Sequence, residues 1–321
     1  MALIRLQGVT KEYRKRKVLE NVNLTIEEGD IFGVIGQSGS GKTTLLNLIA
    51  GFIEPTDGQV IYFPEGSTKE KDLHRHFSQI KKHIGYTPQH NSLYPKLTVQ
   101  ENLWHFGRLY KIDKQTLSTN IRNLLNFTHL IDYRNFLAEQ LSGGMQKRLD
   151  LSCSLVHKPR LLILDEPTAD LDPILQREIA HLLQEVNKQG VTIIIASHHL
   201  ESIENICNKV AIVHQGKVHT HGLLEDVRRP YLRDHFTIRV RSTEQKQLLI
   251  EKLKVLPIHK IIDKGHSLVI YPSNVESIMS NLIRIIKEEN LYLHDLDLRR
   301  PSLHEIFEKI ATSTESEGQV K

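Results

Sequence analysis

The sequence contains few cysteines and no long apolar run. Cys153 and Cys207 are the two cysteines in 321 residues, so a disulfide framework is excluded and both are predicted to be buried thiols. No apolar stretch approaches the roughly 20 residues that a membrane-spanning helix needs, and the N-terminus lacks a signal-peptide pattern. These absences favour a cytosolic protein without a membrane span of its own.

An excess of charge of one sign is also missing. The chain has 42 lysines and arginines against 38 aspartates and glutamates, and a net charge of +4 is too small to indicate a nucleic-acid partner. His74, His76 and His83 do not follow the spacing of metal ligands and are predicted to be solvated. The length favours about two domains.

A glycine-rich loop lies between a predicted strand, residues 31–35, and a predicted helix, residues 44–50. It matches the pattern G-x-x-x-x-G-K-[S/T] at every fixed position. Backbone N–H groups of such a loop and the positive end of the helix bind phosphate, and a turn that binds nothing is the disfavoured alternative. Lys42 is expected to contact the β- and γ-phosphates and Thr43 a Mg²⁺ ion. The predicted phosphate-binding residues are Gly36, Gln37, Ser38, Gly39, Ser40, Gly41, Lys42, Thr43 and Thr44.

Polar residues follow three further predicted strands. Asp165 and Glu166 end the apolar run 161–164, and adjacent carboxylates there are costly unless they serve a purpose. We assign Asp165 to the metal and Glu166 to the attacking water. Gln89 follows the strand 84–87 and His198 the strand 191–196, where ligand contacts are found in α/β sheets. A structural glutamine and a packed or solvated histidine remain open alternatives.

The Ser-Gly-Gly sequence at 142–144 and Tyr13 can each be interpreted in two ways. Ser142, Gly143 and Gly144 precede a predicted helix and indicate either a second anion-binding N-terminus or a simple cap with a tight turn. Tyr13 lies in the charged segment 11–17, predicted to be a turn, and is either a surface tyrosine, which its context slightly favours, or a flat face for an adenine ring.

In chain order, the phosphate loop, Gln89, the Ser-Gly-Gly turn, the carboxylates of Asp165 and Glu166, and His198 together resemble the ATP-binding cassette of ABC proteins. The resemblance covers residues 1–225, and its most specific part is Leu-Ser-Gly-Gly-Met at 141–145. The family often has glutamine where this chain has Met145, but the serine and both glycines are intact. The resemblance implies an α/β P-loop NTPase fold with a parallel-sheet core, an antiparallel β subdomain and an α-helical subdomain. Because every catalytic position is filled, an active ATPase is expected.

The resemblance also implies roles for individual residues. Tyr13 would stack on adenine, and Gln89 would be the Q-loop amide between the metal site and a membrane partner. His198 would be the switch histidine at the γ-phosphate, and Asp172 the acid that crosses a dimer interface. The catalytic set would be Lys42, Gln89, Glu166 and His198, and the metal set Thr43, Gln89 and Asp165. Two cassettes would pack head to tail, with each MgATP between residues 36–43 of one copy and residues 142–144 of the other.

The last third of the chain has a pattern of its own. Residues 235–311 alternate in the order βαββαβ, which predicts a small ferredoxin-like α+β domain, and residues 312–321 are expected to be a disordered tail. Pro301-Ser302 and Glu305 begin a last amphipathic helix, either a docking helix or, by resemblance, the ending of ATPase subunits of type-2 ABC exporters. Those subunits are separate chains that pair with a membrane subunit.

The leading hypothesis is therefore the ATP-hydrolysing subunit of an ABC exporter. It would act as a dimer with itself or a related cassette, peripheral on the cytoplasmic face of the membrane, and drive an integral membrane permease. A soluble ABC ATPase acting on nucleic acid or ribosomes is the alternative, but no sustained heptads, zinc-type cysteines or second phosphate loop are visible. A degenerate cassette without turnover is disfavoured by Glu166 and His198.

Overall fold

The chain forms two compact units, residues Met1–Val227 and Arg228–Lys321. This computed structural model describes residues 1–66, 69–169, 171–228, 235–240, 243–265 and 267–299, and then 303, 304, 306, 307 and 310. No helix in these described ranges has both the length and the apolar character needed to cross a membrane.

The described part of the first unit alternates strands and helices. Its strands are β1 (Ala2–Tyr13), β2 (Arg16–Glu27), β3 (Ile31–Ile35), β4 (Asp57–Tyr62), β5 (Lys71–Asp72), β6 (Ile84–Thr87), β7 (Leu161–Asp165), β8 (Thr192–Ser197), β9 (Lys209–His214) and β10 (Lys217–Leu223). Its α-helices are α1 (Lys42–Ile49), α2 (Phe77–Ile80), α3 (Val99–Leu109), α4 (Lys114–Phe127), α5 (Gly143–Leu155), α6 (Pro173–Lys188), α7 (Leu200–Ile206) and α8 (Leu224–Arg228).

A six-stranded sheet in the order β10-β9-β3-β8-β7-β6 forms the centre of this unit. Strands β9, β3, β8, β7 and β6 are parallel, and β10 is antiparallel to β9. Every residue of β3, β7 and β8 is buried, as expected for parallel strands covered on both faces. Ile35 pairs with Ser197 and Asp165 with Ala196, so the carboxyl ends of these strands meet at one edge.

A second sheet and a helical bundle complete the unit. The antiparallel sheet β2-β1-β4-β5 shares a core with the parallel sheet and α1, whose Leu45 and Leu48 are fully buried. Helices α3, α4 and α5 surround a separate core that contains Leu103, Leu117 and Leu149. The predicted class, an α/β cassette with a parallel core, an antiparallel β part and a helical part, is confirmed.

Several sequence-based boundaries differ from the structure. Only Arg14 and Lys15, both at positive φ, form the predicted turn at 11–17, because Glu12 pairs with Lys17 and Tyr13 with Arg16 across the hairpin. In the polar segment 64–82, which contains α2, Leu73 lies in the core and belongs to the same cluster as α1. The sparse apolar residues of these segments were too few to give a periodic signal.

The environments of the cysteines and of two histidines are also clear in the structure. Cys153 and Cys207 are free and buried, as predicted, and burial raises the pKa of both thiols. His74, predicted to be solvated, is half-buried and its Nε2 lies 2.8 Å from the carbonyl oxygen of Ile53. His214 is also buried, because β9 lies inside the sheet between β10 and β3.

The second unit is an antiparallel sheet packed with helices. Its described elements are β11 (His235–Val240), α9 (Thr243–Leu253), β12 (Ile258–Asp263), β13 (Leu268–Pro272), α10 (Val275–Glu288) and β14 (Leu293–Arg299). The sheet order β12-β13-β11-β14 with the chain order βαββαβ is the predicted ferredoxin-like arrangement. Leu249 of α9 and Leu282 of α10 are buried in one core with Ile238 and Leu268 of the sheet.

The described residues after β14 are helical and largely buried. Leu303, Ile306, Phe307 and Ile310 are helical, and their spacing places them on one buried face. The predicted start of this helix at Pro301, Ser302 and Glu305 and the predicted tail 312–321 lie outside the described residues.

Candidate nucleotide-binding site

The glycine-rich loop joins β3 to the N-terminus of α1. It closes around the side chain of Lys42, whose Nζ donates to the carbonyl oxygens of Gly36 at 2.8 Å and Gln37 at 3.2 Å. A Cβ at Gly36 would lie 2.4 Å from both Ser40 Oγ and the carbonyl oxygen of Val213, so the close approach requires glycine. Burial lowers the pKa of Lys42, whereas the carboxylates of Glu166 and Asp165 act in the opposite direction.

A hydroxyl and a carboxylate meet directly after this loop. Thr43 Oγ1 donates to Asp165 Oδ2 at 2.8 Å, and the side chain of Asp165 is almost completely buried. Burial raises the pKa of Asp165, and the hydrogen bond from Thr43 opposes that change. Hard oxygen ligands beside a phosphate-binding loop suit Mg²⁺, so the residues present fit this ion. The buried Ser40 Oγ has no hydrogen-bond partner in the described structure, which also fits a phosphate ligand.

Glu166 is held by the end of the neighbouring strand β8. Its Oε1 lies 2.8 Å from His198 Nδ1 and accepts from the His198 backbone N–H at 3.1 Å, while Ser197 Oγ donates to Oε2 at 3.1 Å. Glu166 has φ of 50°, a left-handed conformation that a glutamate rarely adopts. Such strain is found where a side chain must be aimed at a ligand. Ser197 was not assigned a role from the sequence, although its position as a polar residue at the end of a buried strand was a usable signal.

Lys42, Thr43, Asp165, Glu166 and His198 line one cavity of about 630 Å³, whereas Gly36, Ser40 and Ser197 are not among its lining residues. The volume is in the range of small-ligand sites. Val18 of β2 contributes to the wall and was not predicted, because it is indistinguishable from the other apolar residues of its strand. The lining residues are Val18, Gln37, Ser38, Gly39, Gly41, Lys42, Thr43, Thr44, Gln89, Asp165, Glu166 and His198.

The turn Ser142–Gly144 belongs to the same unit but does not line this cavity. Ser142 Oγ caps α5 by accepting from the Met145 N–H at 3.4 Å, and a Cβ at Gly143 would have no heavy atom within 4 Å. Asp172 caps the neighbouring helix α6 by accepting from the N–H groups of Ile174 and Leu175. These predicted nucleotide contacts are not among the residues that line the cavity.

Tyr13 is also outside the cavity lining. It ends β1 and its side chain is 46% exposed, with Lys11 Nζ 5.1 Å from the centre of the ring. The strand that follows its turn contains Val18, which does line the cavity. The structure therefore places Tyr13 near the start of the strand that contributes to the site and leaves its stacking role a prediction.

Comparison with known proteins agrees with this geometry. Residues 19–169 match the ABC transporter family model, and residues 222–311 match the ATP-binding protein DrrA1-3-like, C-terminal domain. The bacitracin transport ATP-binding protein BcrA of Bacillus licheniformis is 30% identical over 96% of this chain and 97% of its own. The daunorubicin resistance ATP-binding protein DrrA3 of Streptomyces coeruleorubidus is 28% identical over 95% of this chain and 94% of its own.

A solved structure is similar in fold. It is the ATP-binding cassette MJ0796 in a dimeric post-hydrolysis state bound to ADP and Pi, with a TM-score of 0.60 and 29% identity over 69% of this chain and 99% of that chain. The full-length relatives, the family models and the cavity with its phosphate loop lead to one conclusion. This chain belongs to the ATP-binding cassette (ABC) family as an ABC transporter ATP-binding protein, and it is an ATPase.

Proposed function

We propose that this chain energises an ABC exporter by binding MgATP between two cassettes and passing the resulting motion to a separate membrane permease. The observation that carries the proposal is the cavity in which Lys42, the Thr43–Asp165 pair and Glu166 meet. Export is supported by the match of residues 222–311 to the DrrA-like domain. It is also supported by the names of two full-length relatives, which refer to bacitracin transport and daunorubicin resistance.

Each residue of the cavity has a chemical task in this proposal. Mg²⁺, held by Thr43, Asp165 and Gln89, would supply charge neutralisation at the β- and γ-phosphates. Lys42 contributes a compact positive charge to the same oxygens. Glu166 orients the attacking water, and its fixed position against β8 avoids the cost of reorienting the carboxylate during the reaction. His198, whose half-exposed side chain lines the cavity, would contact the γ-phosphate.

Two copies are needed to complete the site. Ser142, Gly143 and Gly144 are at the N-terminus of α5, outside the lining of the cavity, and the surroundings of Gly143 are open. A helix N-terminus with free N–H groups and no side chain in front of it is a good anion contact. We propose that this turn closes on the triphosphate held by the other copy, in a head-to-tail dimer.

A second groove of the first unit includes Tyr86, at the end of the chain segment that leads to Gln89. This groove of about 630 Å³ is formed beside Tyr86, three residues before Gln89, with further aromatic walls from Phe52, Phe77 and Phe106. We propose that a cytoplasmic segment of an integral membrane permease occupies this groove, which would hold the chain at the cytoplasmic face of the membrane. Motion of the loop at Gln89 would then reach the permease directly.

The dimer is tested by mixing two inactive variants. Lys42→Ala and Ser142→Arg each damage both composite sites of a homodimer, so each alone is expected to show no ATP-driven pairing and no ATPase activity. A head-to-tail heterodimer of the two regenerates one intact site, so an equal mixture contains about a quarter of the wild-type number of sites. Rescue of activity and of pairing in sedimentation supports the dimer. A mixture as inactive as its parts, with wild-type protein active, would contradict it.

A further inference from the structure

Helix α5 is joined to the loop after β6 by a row of polar contacts. Residues 146, 150 and 154 are spaced by four, so they lie on one stripe of the helix and face residues 87–92. The oxygen or nitrogen atoms of three side-chain pairs are within hydrogen-bond distance: Asn91–Gln146 at 3.3 Å, Ser92–Asp150 at 2.6 Å and Thr87–Ser154 at 2.7 Å. This loop contains Gln89, and α5 begins at the turn Ser142–Gly144.

Among these residues, Asp150 is the one whose burial is energetically unfavourable. Its carboxylate is fully buried, and only Oδ1 has partners, the Oγ of Ser92 at 2.6 Å and its backbone N–H at 3.3 Å. Oδ2 is buried and has no hydrogen-bond partner in the described structure. The buried ammonium group of Lys147, one turn earlier on α5, is the charged group that interacts with the Asp150 carboxylate. Burying a carboxylate with one oxygen unsatisfied opposes folding, so a contribution to stability does not explain this residue.

We propose that Asp150 is a positioning residue that ties the loop of Gln89 to helix α5, so that occupation of the nucleotide cavity sets the position of the Ser142–Gly144 turn. Gln89 lines the cavity three residues before Ser92. Asp150 is eight residues from Ser142, about 12 Å along a rigid helix. A shift of the loop at Ser92 therefore moves the turn that would close on the second copy's nucleotide. This inference rests on the proposed dimer.

The experiment compares five variants of the full chain with wild type. Ser92→Ala removes the hydroxyl donor from an exposed loop position, where it leaves the core and the Ser92 backbone N–H intact, and Asp150→Ala removes the acceptor. The double variant tests whether both act through one contact, and Asp150→Asn keeps an oxygen that can accept from Ser92. Ser152→Ala is the matched control, because Ser152 is buried on the same helix but donates to the carbonyl oxygen of Arg148. The measurements are steady-state kcat, the Kd of a fluorescent ATP analogue, and hydrogen exchange of residues 141–146 with and without ATP.

We expect the variants to change the ATPase rate without changing the affinity for the ATP analogue. Ser92→Ala and Asp150→Ala should lower kcat about three- to tenfold, the range that loss of one hydrogen bond gives, with Kd unchanged within about twofold. The double variant should be no slower than Asp150→Ala, since Asp150→Ala already removes both hydrogen bonds from Ser92. ATP should protect residues 141–146 from exchange in wild type and less so in Ser92→Ala. Asp150→Asn should restore most of the lost rate, and Ser152→Ala should match wild type.

Other outcomes would overturn the inference. A Ser92→Ala protein with wild-type kcat and wild-type exchange protection would show that the loop does not position α5 through Asp150. Multiplicative losses in the double variant would show that the two residues act separately. Failure of wild type to pair in ATP would instead contradict the proposed dimer, while the exchange measurement on single chains would still decide whether Ser92 and Asp150 link the cavity to α5.

Discussion

Glu166 is the residue on which the predicted chemistry depends most. Its carboxylate is fixed by Ser197 and His198 at the end of β8, and its backbone is in a strained left-handed conformation. Glutamine has the same size and can keep some of these contacts, but it is far less able to accept a proton from water. The strain and the three contacts therefore hold the carboxylate in one position. A Glu166→Gln protein would keep the side chain in that position but would lose the negative charge.

We expect Glu166→Gln to lower the ATPase rate at least about 100-fold and to leave ATP affinity within about threefold, because the phosphate contacts are unchanged. Phosphate release under saturating MgATP and binding of a fluorescent ATP analogue measure the two quantities. Glu201→Gln, an exposed glutamate in the first turn of α7, is the control and should behave as wild type. Equal rates for Glu166→Gln and wild type would remove Glu166 from the catalytic residues.

At the scale of elements, strand β6 and helix α5 approach each other closely at Gly85. A Cβ there would lie 2.4 Å from the carbonyl oxygen of Ser154, a backbone atom that has no rotamer with which to move away. We expect Gly85→Ala to lower the free energy of unfolding by about 1–3 kcal/mol. Urea unfolding measures it, with Gly143→Ala as the control, because that Cβ meets open space at the start of α5. A Gly85→Ala protein as stable as wild type would show that the two elements are free to separate.

The elements also show how far the sequence predicts the fold. Uninterrupted apolar runs such as 161–164 and 193–196 identified the parallel strands, and Asp165, Glu166 and His198, which follow them, line one cavity. Their chemical roles remain predictions. The extension of β1 and β2 into the charged hairpin was missed, since cross-strand pairing there overrides the local preference for a turn. The Ser92–Asp150 contact was missed too, because a contact 58 residues apart along the chain leaves no local pattern.

At the scale of the molecule, the two units have separate hydrophobic cores. The first contains every residue that lines the nucleotide cavity, together with the cores around α1 and α3–α5. The second has its own core around Ile238, Leu249 and Leu282. A chain that ends at residue 228 keeps both cores of the first unit, so it should fold alone and bind ATP with the affinity of the full chain.

The truncated chain 1–228 should form a less stable dimer than the full chain. The second unit exposes apolar side chains, Val255 at 87%, Tyr292 at 64% and Ile283 at 44%, and burying them against another copy would stabilise a dimer. We therefore expect the chain 1–228 to form ATP-dependent dimers with a Kd at least about tenfold weaker, a loss of about 1.4 kcal/mol. Sedimentation velocity with MgATP over a range of concentrations measures it. The full chain with Val255, Ile283 and Tyr292 all replaced by serine should be weakened in the same direction. If 1–228 pairs and hydrolyses ATP as well as the full chain, the second unit does not stabilise the dimer.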